Sequence, residues 1–157
     1  MHIYLLRHAD AESYASTDAQ RKLTPKGLQQ ATQVGRFCKR HELVPALILA
    51  SPFERAKETA NLVASELGDS QTILEIAPFL ACGMEPETAL GQLGGYPSFR
   101  SVMLVGHEPD LSHLAAFLLG STSHCLHVRK ASLTLIEAGA LRQGAGILHF
   151  SIPVELM

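Results

Sequence analysis

Two histidines and two arginines in this chain stand where short apolar runs stop, and that placement could do chemistry. Ile3-Tyr4-Leu5-Leu6 runs into Arg7-His8, and Ser101-Val102-Met103-Leu104-Val105 runs into Gly106-His107. Ala46-Leu47-Ile48-Leu49-Ala50 gives way to Ser51-Pro52, with Arg55 shortly after. An imidazole can act as nucleophile or proton carrier near neutral pH, and a guanidinium grips oxyanions through paired N–H donors. Gathering such groups in one crevice is costly without a counter-ion, so their convergence calls for an anion such as phosphate. Helix amino termini after Pro52 and Pro109 would favour the same anion. Arg21, in a polar loop over residues 12–22, could close over it.

Convergence of this kind requires neighbouring parallel strands whose carboxyl ends share one edge of a sheet. The apolar runs are too short for helices and read as buried strands. Thr24-Pro25 is a helix start, with Thr24 as N-cap and Pro25 at the first helical position. Leu28, Ala31, Val34 or Gly35, and Cys38 supply its apolar stripe as far as about Lys39. Gly27, in the first turn, is a poor helix former whose presence a close approach by another part of the chain would explain. A second helix turns Ala56, Ala60, Val63, Ala64 and Leu67 inward, carries Arg55 in its first turn and stops at Gly68. Residues 72–76 read as a third strand and 86–93 as a short helix. Leu111, Leu114, Ala115 and Leu118 mark a helix that ends at Gly120. Strands over 132–136 and 147–152 have no helix between them and should form an antiparallel pair. The expected class is α/β: a mainly parallel six-stranded sheet with an antiparallel C-terminal pair, and three helices distributed over both faces of a three-layer α/β/α sandwich.

The chain has 157 residues, 46% hydrophobic and 18% charged, with a formal net charge of −2. These values fit one globular domain over residues 1–157, and the charge gives no reason to expect nucleic acid. Cys38, Cys82 and Cys125 support neither a disulfide framework nor a zinc cluster, and read as small core residues in a reducing compartment. His2, His41, His113, His124, His127 and His149 are scattered and read as structural or solvated. No apolar run approaches the roughly 18 residues of a membrane span, and no signal peptide is visible. The expectation is a cytoplasmic monomer without a membrane partner.

Four blocks in order carry a resemblance: Leu5-Leu6-Arg7-His8-Ala9, Leu23-Thr24-Pro25-Lys26-Gly27, Ser51-Pro52-Phe53-Glu54-Arg55-Ala56-Lys57-Glu58-Thr59-Ala60 and Val105-Gly106-His107-Glu108-Pro109. They resemble the histidine phosphatase superfamily, which is phosphoglycerate mutase-like in fold. The chain length and the Ser-Pro-Phe-x-Arg-Ala block are similar to the small bacterial phosphohistidine phosphatases of the SixA type. One departure is Ala9, where the family usually has Gly. A methyl is tolerated there if the backbone torsion stays negative.

The resemblance implies roles. His8 would be the nucleophile, forming a phosphohistidine intermediate. Arg7, Arg55 and His107 would hold the transferring oxygens. No metal or other cofactor is implied, because fixed cations stand where a magnesium ion would, and the nearby acidic residues form no recognisable metal-binding pattern. Larger relatives carry a general-acid Glu on an inserted segment. Gly68 to Arg100 leaves little room for that segment or for a large helical lid, and Glu75, Glu85 and Glu87 match no motif. Asp18 and Glu108 stand as the candidate acids, and Arg21 as a further substrate contact. An imidazole leaving group depends on an acid less than an alcohol does. That favours phosphohistidine on a protein, such as a histidine-containing phosphotransfer domain, as substrate. A small-molecule phosphatase or mutase is the alternative, and a non-catalytic phosphate-binding module a more distant one.

Overall fold

The computed structural model describes residues 1–122 and 126–157; His124 and Cys125 lie outside the described residues. The elements in order are β1 (His2–Arg7), α1 (Pro25–Arg40), β2 (Leu47–Ala50), α2 (Glu54–Leu67), β3 (Ile73–Ile76), α3 (Pro86–Leu93), β4 (Ser101–Gly106), α4 (Asp110–Leu119), β5 (Leu133–Ala138) and β6 (Gly146–Ile152). The strands form one sheet in the order β3-β2-β4-β1-β5-β6. β1 to β4 run parallel, and β5 runs antiparallel to both β1 and β6. None of the described helices is long and apolar enough to cross a membrane.

Strand alternation divides the core into two layers. Tyr4 and Leu6 of β1 join Ile48, Met103 and Val105 under α1 and α2. Ile3 and Leu5 turn the other way, with Leu49, Val102 and Leu104, under α3 and α4. Because both faces are covered, the central strands are apolar throughout rather than alternating with polar residues. The expectation of three covering helices left out α3. That helix is short, yet it buries Ala89, Leu90 and Leu93 in the second layer.

Local chemistry sets the helix ends. Thr24 caps α1, its hydroxyl accepting the Gly27 N–H at 3.0 Å, with Pro25 next. Gly68 and Gly120 end α2 and α4 in the left-handed conformation, at φ 63° and 68°. The buried stripe of α1 differs from expectation at Leu28, which is 44% exposed. Gly27, Ala31, Val34, Gly35, Phe37 and Cys38 face inward instead. The two glycines let the helix approach the Asp10 backbone on one side and α2 on the other, which turns Leu28 outward. Between α2 and β4 the chain makes only β3, a single 3-10 turn at Pro78–Leu80 and α3. Among the described residues no large lid is built over the sheet edge.

Candidate active site

The registers of the central strands bring the site together. Arg7 pairs with Gly106 across β1 and β4, and Ala50 pairs with Val105 across β2 and β4. The residues that follow, His8, Ser51 and His107, therefore leave the sheet side by side at its carboxyl edge. Two further bonds continue the ladder: His8 N–H donates to the Gly106 carbonyl at 3.0 Å, and Ser51 N–H to the Val105 carbonyl at 2.9 Å. Arg55 joins them from the first turn of α2. His8, Arg55 and His107 are 7%, 4% and 2% exposed, so three polar side chains are almost fully withdrawn from water at one point.

Hydrogen bonds define the state of His8. Its Nδ1 lies 2.7 Å from the Ala9 carbonyl, an acceptor only, so Nδ1 carries the proton and Nε2 the lone pair. That lone pair accepts the Arg55 Nε–H at 3.2 Å. An arriving phosphoryl oxygen can take this N–H and leave Nε2 free to attack phosphorus. The Ala9 loop is held in turn by Thr59, whose hydroxyl accepts the Ala9 N–H at 3.1 Å and donates to the Arg55 carbonyl at 2.7 Å. Ala9 is fully buried and is not among the residues with positive φ, which explains how a methyl fits there.

The His107 ring lies 5.2 Å from that of His8, with Nε2 2.7 Å from the Ser51 hydroxyl. Phe53 packs beside it at 5.0 Å between centroids and lies beneath the Arg55 guanidinium at 4.9 Å. Arg7 donates from Nη1 to the Val128 carbonyl at 3.0 Å. Among the described residues, Arg7 Nε and His107 Nδ1 are buried without a hydrogen-bond partner. Leaving such groups unsatisfied is expensive. An oxyanion bound here would meet that cost by accepting the Arg7 Nε–H and, with the Ser51 hydroxyl donating to His107 Nε2, the His107 Nδ1–H.

Burial lowers the pKa of His8 to about 3, the Ala9 bond opposing and the neighbouring His107, Arg55 and Arg7 reinforcing it. His107 falls to about 4, again chiefly through burial, with Arg55 next. Both imidazoles are neutral near pH 7, which the nucleophile requires. A stability effect follows. The unfolded chain takes up protons near pH 6.5 that the folded site refuses, so stability is complete above that pH and falls as the pH drops towards 4 and then 3. Each histidine contributes a slope of up to about 1.4 kcal/mol per pH unit in this window. Urea denaturation from pH 7 to 4.5 should show the slope reduced by about one proton in a His8→Asn variant. Equal slopes in the two proteins would show that His8 is not held neutral.

The remaining candidates divide. Asp18 reaches the site: its carbonyl accepts from Arg55 Nη1 at 2.7 Å and its Oδ2 from Nη2 at 3.0 Å. Hydrogen bonds from Arg21 and then Arg55 hold its carboxyl below the usual range, which suits an acceptor rather than a proton donor. Arg21 does not close over the histidines as expected. Its guanidinium is spent on Asp18 Oδ1 at 2.8 Å and on the Glu12 carbonyl. Glu108 follows His107 and accepts the Ser112 hydroxyl through Oε2, while Oε1 is buried without a partner among the described residues. Cys82 also departs from expectation. It is exposed rather than in the core, with its sulfur 3.7 Å from Arg55 Nη2. No motif in the sequence marks it, because only the fold of the loop after Leu80 carries it there. Ser51 and Thr59 lay within a recognised block, but their bonds to His107 and Ala9 span long stretches of chain that spacing alone does not connect.

The sequence model of the histidine phosphatase superfamily (branch 1) matches residues 3–78. An uncharacterized protein of Picosynechococcus sp. is 34% identical, over 90% of this chain and 88% of its own. The phosphohistidine phosphatase SixA homolog of Haemophilus influenzae is 30% identical, over 76% of this chain and 78% of its own. In fold, the protein histidine phosphatase SixA complexed with tungstate superposes with a TM-score of 0.88 at 23% identity, covering 98% of this chain and 97% of that one. The alpha-ribazole phosphatase of Shigella flexneri superposes at 0.78 with 21% identity, covering 98% and 97%. With its four motif blocks gathered at one sheet edge, the chain belongs to the histidine phosphatase superfamily, in its SixA-like group.

Proposed function

We propose that the protein hydrolyses phosphohistidine on a protein substrate through a covalent intermediate on His8. The observation that carries this reading is the neutral His8 with its proton fixed on Nδ1 and its Nε2 lone pair held against Arg55. In the first step Nε2 forms a bond to phosphorus as the substrate's N–P bond breaks. The departing imidazole takes the electron pair, and if its other nitrogen is protonated it leaves neutral without an acid. Arg55 Nε–H, Arg7 Nε–H and His107 Nδ1–H are the donors for the transferring oxygens. In the second step water attacks phosphorus, the His8–phosphorus bond breaks and inorganic phosphate is released.

From the absence of a large lid among the described residues we infer that the site opens at the sheet edge. Such an opening contacts little of a small substrate beyond its phosphoryl group, so additional binding energy must come from protein surface around the phosphohistidine. A phosphorylated histidine-containing phosphotransfer domain is therefore the expected substrate, met by a monomer in the cytoplasm. Its kcat/KM should exceed that of free phosphohistidine, phosphoserine or a sugar phosphate by at least about tenfold, or roughly 1.4 kcal/mol. Equal or faster turnover of a sugar phosphate would replace this reading with a small-molecule phosphatase.

A further inference from the structure

The Arg55 side chain is almost fully buried, yet the group that orients it comes from an exposed loop. Residues 12–22 leave and re-enter the body through a narrow neck, closed by the Ala11–Leu23 bridge and by Glu12 N–H donating to the Lys22 carbonyl at 2.9 Å. At the far end, the single 3-10 turn Asp18–Gln20 meets Arg55. Asp18 grips the two terminal nitrogens of the guanidinium, Nη1 through its carbonyl at 2.7 Å and Nη2 through Oδ2 at 3.0 Å. Behind it Arg21 holds Oδ1 at 2.8 Å and is itself tied to the Glu12 carbonyl at the neck. A continuous chain of bonds thus runs from the neck of the loop through Arg21, Asp18 and Arg55 to His8.

A guanidinium has five N–H donors in one plane. With its terminal fork fixed on Asp18, the plane is set and the Nε edge faces His8. Among the described residues that edge meets only the His8 nitrogen, at 3.2 Å, and the Cys82 sulfur, at 3.7 Å. Both are weaker partners than a phosphoryl oxygen, so a ligand can take the edge without displacing the carboxylate.

We propose that Asp18 is a positioning residue: it acts through Arg55, presenting the Nε edge to the transferring phosphoryl group, and neither donates a proton nor competes with the ligand. This rests on the phosphoryl-transfer reading of the site, but its test has a readout independent of turnover. Simple electrostatics gives the opposite sign, since removing a carboxylate beside an anion site should tighten oxyanion binding. Loss of positioning should weaken it.

The experiment is a double-mutant cycle with wild type, Asp18→Ala, Arg55→Ala and the double variant. Binding of tungstate is measured by calorimetry, and kcat/KM with both phosphohistidine and p-nitrophenyl phosphate. Asp18→Ala should weaken tungstate about fivefold or more and lower kcat/KM about tenfold on both substrates. In the Arg55→Ala background the same change should matter less than twofold. Because Asp18 lies in an exposed loop, its removal should leave the fold intact, and circular dichroism checks this. Three results would overturn the proposal. Tighter tungstate binding in Asp18→Ala would make the carboxylate a competing anion. A loss confined to phosphohistidine would make it a leaving-group contact, and additive losses in the cycle would remove the link to Arg55. Should neither substrate turn over in the wild type, the proposed function fails, while the tungstate cycle still decides the role of Asp18.

Discussion

Replacing His8 by alanine should lower kcat by at least about a thousandfold, since removal of an activated nucleophile leaves only the surrounding binding groups to act. Tungstate or vanadate should nevertheless bind, because Arg7 Nε, Arg55 Nε and His107 Nδ1 remain for it. The two outcomes together separate a nucleophile from a residue that merely holds the ligand. Alanine at 8 also releases the Arg55 Nε–H from its nitrogen acceptor, so oxyanion affinity should change little. Rapid quenching of the wild type during turnover should trap phosphate on nitrogen, in a linkage that acid breaks and alkali spares. An acid-stable label, or a His8→Ala protein within tenfold of wild type, would assign the nucleophile elsewhere.

The convergence of Arg7, His8, Arg55 and His107 was legible because each stands at the last residue of a buried strand, immediately beyond one, or in the first helical turn after one. In a parallel sheet those positions share an edge whatever the strand order. The order itself was not legible: β4 enters between β1 and β2, and no local pattern records which strands become neighbours. Helix ends followed from Thr24-Pro25, Gly68 and Gly120, where side-chain and backbone chemistry act locally. Asp18 was visible as a polar residue near Arg21, but its grip on Arg55 depends on how the whole loop folds back over α2. The placement of Cys82 has the same origin. Asp110 accepts the Gly83 N–H at 2.9 Å, where Gly83 adopts φ 92°, and the loop is pinned from a distant helix. Contacts within one element or at its boundary leave a sequence signature. Contacts between loops distant in sequence leave none.

Gly27 and Gly91 give opposite expectations from the same substitution. Both lie within helices, where alanine is ordinarily the better residue by up to about 1 kcal/mol. A Cβ on Gly91 in α3 would meet nothing within 4 Å, so Gly91→Ala should stabilise the protein by about 0.5 kcal/mol through the unfolded chain. A Cβ on Gly27 would lie 1.9 Å from the Asp10 carbonyl oxygen. That oxygen also accepts the Thr24 N–H at 3.0 Å, so it is fixed in place by the capping turn that would have to move. Relief requires pushing α1 away from residues 9–11, and the Ala9 carbonyl that sets the His8 tautomer belongs to that segment. Gly27→Ala should therefore destabilise the fold by about 2 kcal/mol or more and lower kcat/KM as well. Urea denaturation of the two variants beside wild type measures the contrast. A Gly27→Ala protein as stable as wild type would show that helix and loop do not touch as described, and would remove the packing basis for the placement of His8.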